Sequence, residues 1–148
     1  MKIVIANDHA AVDLKKKVAE YIESLGHEVI NIGTDSNESC HYPEYGTKAA
    51  RMVSAKEVDF GVLICGTGVG ISLAANKIKG IRCGVCSEAT TARLIRQHNN
   101  ANMIAFGARI VGEELAKDIV KSFLEAEFEG GGRHQTRIDM ITAIENEE

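Results

Sequence analysis

Short apolar runs alternate along the whole chain with stretches whose apolar residues recur at helical spacing. Residues 2–6, KIVIA, are rich in β-branched side chains and stop at the polar pair Asp8 and His9. Such side chains crowd a helix and suit a pleated strand, so a strand is predicted. Leu14, Val18, Tyr21, Ile22 and Leu25 then mark one face of a helix, and Gly26 stands where it would stop. HEVINIG (27–33) predicts a second strand. In the polar segment CHYPEYG, Pro43 suits a helix start, and that helix runs through Ala49, Met52 and Val53. DFGVLIC (59–65) is apolar without alternation, as expected of a strand covered on both faces.

The glycine turn CGTGVGIS, residues 65–72, leads into a helix expected from about Ile71 to Ile78. GIRCGVC (80–86) and ANMIAF (101–106) predict strands four and five, with a helix from Glu88 to about His98 between them. After Gly112 a long helix carries Leu115, Ile119, Phe123 and Leu124 on one stripe. GGG at 130–132 breaks it, and a last helix over about 133–146 aligns Ile138, Ile141 and Ile144. Strand and helix in alternation predict an α/β fold: a five-stranded parallel sheet with helices on both faces. One domain over 1–148 is expected, its final helix packing on its own domain or on a partner subunit.

The 148 residues suffice for one core without staples, and 45% hydrophobic with 26% charged is an ordinary balance for a soluble chain. A net charge of -4 gives no basic surface for nucleic acid. No apolar stretch approaches the ~20 residues that cross a bilayer, so no membrane is expected. The apolar part of MKIVIANDH is too short for a signal peptide. Four cysteines form no secreted framework, which places the chain in the cytoplasm.

In parallel sheets of this kind the ligand lies beyond the carboxyl ends of the strands. That rule gathers Asp8 and His9, Cys65 to Gly70, and Arg109 at one edge. GTGVGI is neither the dinucleotide fingerprint, since its third glycine falls one place early, nor a P-loop, which would end in Gly-Lys-Ser/Thr. What remains is a turn of backbone amides before a helix, suited to an anion, or a tight connection that uses glycine for its geometry. Cys65 at the lip of this turn is either a thiol whose thiolate the helix end favours or a buried small hydrophobe.

Cys83 and Cys86 form a CxxC inside a predicted strand, with no second pair to complete a zinc site, and read as packing residues. Cys40 reads as a loop residue without a role, and His27 and His41 as surface residues. No ligand cluster for a metal is apparent along the chain. His98, followed by Asn99 and Asn100, is a dipole partner of its helix or a proton-transfer group. Arg133, His134 and Arg137 form a basic cluster with both guanidinium groups on one helix face: a solvated surface or a phosphate clamp. Asp8 caps the first helix or, with His9, orients a hydroxyl-rich ligand.

CGTGVGISLAANKIKGIR, RQHNNANMIAFGARIVG and GGGRHQTRIDMI, with the initial NDHA and the segment YPEYG, resemble the ribose-5-phosphate isomerase B family. That family also includes the galactose 6-phosphate and allose 6-phosphate isomerases. The resemblance implies a Rossmann-like three-layer α/β/α sandwich, a phosphorylated sugar as substrate, and no cofactor or metal. It also implies a homodimer or homotetramer whose sites draw on two subunits.

By that resemblance Cys65 is the base that moves a proton between C2 and C1. The amides of Gly66, Thr67, Gly68, Val69 and Gly70, with the Thr67 side chain, hold the enediolate oxygen. His98 opens the furanose ring, while Asp8, His9 and Asn99 hold the sugar. Arg109, Arg133 and Arg137 grip the phosphate with His134 nearby. The chain departs from the family's usual pattern at Ala10 and Ala11 after Asp-His, at His41, and at the third glycine before Arg133. Two further readings stand beside ribose 5-phosphate isomerisation: a six-carbon sugar-phosphate isomerase, and a sugar-phosphate sensor without catalysis.

Overall fold

A computed structural model describes residues 1–147. Five strands form one wholly parallel sheet: β1 (Lys2–Asn7), β2 (Glu28–Asn31), β3 (Phe60–Cys65), β4 (Cys83–Val85) and β5 (Met103–Gly107). The helices are α1 (Val12–Ser24), α2 (Tyr42–Ser54), α3 (Val69–Ala75), α4 (Ala89–Asn99), α5 (Glu113–Glu125) and α6 (Gly132–Glu145). Spatial order is β2-β1-β3-β5-β4, so β5 is inserted between β3 and the short edge strand β4.

This order fixes the layers. A parallel crossover is right-handed, so connections running in opposite directions along the sheet place their helices on opposite faces. β1 to β2 and β4 to β5 run one way; β2 to β3 and β3 to β4 run the other. Accordingly α1, α4 and α5 pack together on one face, and α2 and α3 on the other. Alternate strand residues serve each layer. Ile3, Ile5, Val62, Ile64, Ile104 and Phe106 join the first core, and Val4, Ala6, Leu63, Cys65, Met103 and Ala105 the second. Among the described residues no helix is long and apolar enough to cross a membrane.

The predicted α/β class and the five parallel strands hold, with differences at the ends. β4 covers three residues rather than seven, because Ile81 and Arg82 lead into it and Cys86 lies beyond it. α3 starts at Val69, directly after the turn, and stops at Ala75. In α5 the buried stripe is Ala116, Ile119, Val120, Phe123 and Leu124, whereas Leu115 is exposed. α6 buries Ile138 but leaves Ile141 and Ile144 more than half exposed, so its apolar stripe is not satisfied within the chain.

Candidate active site

The carboxyl edge is built by two backbone turns locked together. β3 ends at Cys65, and the Cys65 carbonyl accepts from Ala108 N at 2.8 Å while that of Gly66 accepts from Arg109 N at 3.0 Å. Gly68 has φ +83°, and a Cβ there would stand 2.7 Å from the Phe106 backbone; one on Gly107 would stand 2.5 Å from Thr67 Cα. Only glycine permits both the left-handed turn and this approach. The Arg109 guanidinium lies over Gly66, with Nη1 3.2 Å from where a Cβ would be.

Inside the turn Gly68 N donates to Cys65 Sγ at 3.1 Å, and Val69 N donates to Thr67 Oγ1 at 3.2 Å. Two of the five amides expected to hold an external oxygen are therefore engaged locally. The amides of Gly66, Thr67 and Gly70 have no acceptor among the described residues. Cys65 itself is only 4% exposed, packed among the second core's apolar side chains with its sulfur on the Gly68 amide.

Asp8 and His9 join this edge from β1. Asp8 N donates to the Ile64 carbonyl at 3.2 Å, which ties the exit of β1 to that of β3. Its carboxylate is buried and accepts from Ala10 N at 3.0 Å, capping the 3-10 turn His9–Ala11 that precedes α1. His9 Nδ1 accepts from Cys40 N at 3.2 Å. A backbone N–H can only donate, so the neutral ring carries its proton on Nε2. Cys40, read from the sequence as idle, thus supplies the amide that orients His9. Tyr42, at the start of α2, was also missed: its ring lies against Gly70, where a Cβ would stand 2.7 Å from Cζ. The aromatic ahead of Pro43 was the available signal.

The other predicted residues are elsewhere. His98 and Asn99 end α4, which runs antiparallel to the strands and finishes at the amino edge. Arg82, leading into β4, donates through Nε to Asn99 O and through Nη2 to Asn100 O, both at 2.9 Å. Arg96 donates to Asn100 Oδ1 and Ala101 O and covers the Phe60 ring. Asn100 closes the helix in the left-handed region at φ 46°.

The His134 ring, from the first turn of α6, stacks on that of His98 with centroids 4.5 Å apart and planes 11° apart. Burial, then the neighbouring charges of His98 and Arg133, hold His134 below the usual imidazole value, with Glu129 opposing. Arg133 and Arg137 are exposed beside it. The predicted site residues thus form two groups at opposite ends of one sheet.

Tertiary structure also corrects the expectation that no metal-ligand cluster exists. Ligand atoms of His98, Glu129 and His134 lie within 4.8 Å of one another. Imidazole lone pairs lie in the ring plane, so rings stacked this closely direct them side by side rather than toward one ion. Cys83 and Cys86 meet their predicted role: burial raises both thiols, that of Cys86 to about 12, and they join opposite cores.

Fold and edge together define a doubly wound α/β protein with a ligand site at the carboxyl ends of its strands. The family model described as Ribose/Galactose Isomerase matches residues 3–141, and the chain belongs to that family. It is 54% identical over 144 residues to ribose-5-phosphate isomerase B of Escherichia coli, covering 97% of this chain and 96% of that one. It is 45% identical to the galactose-6-phosphate isomerase subunit LacB of Clostridium acetobutylicum, covering 99% of this chain and 86% of the relative. The solved ribose-5-phosphate isomerase B of Clostridium thermocellum superposes with a TM-score of 0.97 at 50% identity, covering 99% of each chain.

Proposed function

We propose that this cytoplasmic enzyme interconverts ribose 5-phosphate and ribulose 5-phosphate, at sites completed by a second copy of the chain. The observation that carries the reading is the turn at the carboxyl edge. There a sulfur on the Gly68 amide stands beside three amides that have no acceptor among the described residues, with Asp8, His9 and Arg109 around them. The family and its ribose-phosphate relatives support the substrate.

Ring opening breaks the bond between C1 and the ring oxygen: His98 of the second copy gives the ring oxygen a proton while the C1 hydroxyl releases its own to water, leaving the aldehyde. The Cys65 thiolate then takes the proton from C2 of the open aldose, and charge flows to the C1 oxygen. The open amides of the glycine turn, those of Gly66, Thr67 and Gly70, hold that oxygen in the enediolate; one such donor is typically worth ~10²–10³ in rate. The thiol returns its proton to C1 while the O2 hydroxyl proton passes to O1, giving the ketose. Asp8, His9 and Asn99 hold the hydroxyls, and Arg109, Arg133, Arg137 and His134 hold the phosphate, which brings C1 and C2 to the sulfur. The step transfers protons only, with no net redox change.

The need for a second copy follows from the division of these groups between the two sheet edges. Exposed Leu73, Met140, Ile141 and Ile144 supply apolar surface for the contact. The reading is tested by isomerisation assays on ribose 5-phosphate, allose 6-phosphate and galactose 6-phosphate, with unphosphorylated ribose as control. Turnover of ribose 5-phosphate well above the others is expected. Preference for a six-carbon substrate, the reading that the LacB relative favours, would overturn the assignment of substrate. Absence of turnover with all three would overturn the enzyme.

A further inference from the structure

Lys15 on α1 is 1% exposed, and no step above uses it. Burying an ammonium group costs several kcal/mol of hydration, which an apolar side chain of similar length would avoid. Its Nζ donates to Asn31 Oδ1 at 3.2 Å, to the Thr34 carbonyl at 3.0 Å and to Asp35 Oδ1 at 2.6 Å. These acceptors lie at the end of β2 and the start of the segment 33–41, which connects β2 to α2.

That segment has no helix or strand and contributes no side chain to either core. Apolar burial therefore does not hold it. Among the described residues, its hydrogen bonds to the rest of the chain run to Asn7, His9, Lys15 and Asn31, apart from the His41 carbonyl, which accepts from Glu44 N in the first turn of α2. Thr34 is the junction. Its carbonyl accepts from Lys15 Nζ and from Asn7 Nδ2 at 3.0 Å, and its N–H donates to Asn7 O at 3.4 Å. Asn7 Oδ1 has no hydrogen-bond partner among the described residues and stands against Gly33, where a Cβ would overlap it. At the far end of the same segment, Cys40 N holds His9 Nδ1.

The geometry points to Lys15 as a positioning residue for the sugar-phosphate site. With Asp35 and the Thr34 carbonyl it sets the course of segment 33–41, keeps the Cys40 amide on His9 Nδ1, and so keeps a donor proton on Nε2. This rests on the proposed function only in taking a sugar phosphate as the acceptor of that proton. Without the Cys40 amide both ring tautomers become available, and the one protonated on Nδ1 presents no donor at Nε2.

The test uses the full chain labelled with ¹⁵N at histidine, with the His9 signals assigned from a His9→Gln spectrum. The wild type is expected to show Nε2-protonated His9. Lys15→Met and Asp35→Asn are each expected to move the signals toward a mixture of tautomers. KM for ribose 5-phosphate should rise roughly three- to tenfold, the size of one weakened hydrogen bond, with kcat within about twofold. Asp35 is exposed, so its variant decides the matter if Lys15→Met does not fold. Lowered thermal stability with His9 signals unchanged would make Lys15 a structural residue only and overturn the proposal. The tautomer is read without substrate, so a chain that turns over no ribose 5-phosphate would still give this answer.

Discussion

Cys65 and His98 stand at opposite edges of one sheet: Cys65 closes β3 at the carboxyl edge, and His98 lies in the last turn of α4 beside Arg82, which leads into β4. No side-chain rotation spans a sheet, so the proposed site, which uses both, must draw them from two copies. Cys65→Ala and His98→Gln should each be inactive alone. After the two are unfolded and refolded together in equal amounts, pairing of copies as proposed makes half the pairs mixed, each with one intact site, giving about a quarter of wild-type activity. Activity that stays at zero in the mixture would place both groups in a single chain.

The two ends of the site should fail differently. Cys65→Ala should lower kcat by at least about 10³-fold and leave binding of ribose 5-phosphate by calorimetry within a few fold. Arg137→Ala should mainly raise KM. Wild-type turnover in the first variant would remove the sulfur from the chemistry, and an unchanged KM in the second would release Arg137 from the phosphate.

Gly68→Ala places a methyl group 2.7 Å from the Phe106 backbone in a residue at φ +83°. We expect a loss of about 1–3 kcal/mol in denaturant unfolding, with activity falling further than stability because the Gly68 amide leaves the Cys65 sulfur. A fully active, equally stable variant would show that the turn tolerates rearrangement.

His134 makes a prediction about pH. Its folded value is depressed below the ordinary 6.5 by burial and by the charges of His98, Arg133 and Arg137, against Glu129. Between the depressed value and 6.5 the unfolded chain binds more protons than the folded one, so stability must fall as pH drops through that window. Thermal midpoints measured from pH 7.5 to 5 should fall below about 6.5, and His134→Gln should flatten that part of the curve. An identical slope in the variant would assign the effect to other groups.

Much of the fold was legible because burial on both faces leaves a run like FGVLIC no other role, and because glycine and proline punctuate the helices. The end of β4 was not, since Ile81 and Cys86 are buried like strand residues without pairing as strand. Cys40 gave no sign of its role because it acts through a backbone amide, which every residue carries. Lys15 was unreadable for a related reason: a lysine on an amphipathic helix belongs on the solvated face unless acceptors distant in sequence surround it.

The sequence alone determined the periodicities, hence the alternation of strand and helix, and the chemical groups on offer: a cysteine at a glycine turn, a histidine among asparagines, two arginines four apart. These are local properties, fixed by spacing and side-chain chemistry. Only the tertiary structure decided that β5 lies between β3 and β4, that the glycine turn is locked to residues 107–109, and that the sulfur and His98 lie at opposite edges of the sheet. Those facts depend on which strands pair and which helix faces find each other, and such long-range choices leave no periodic trace along the chain.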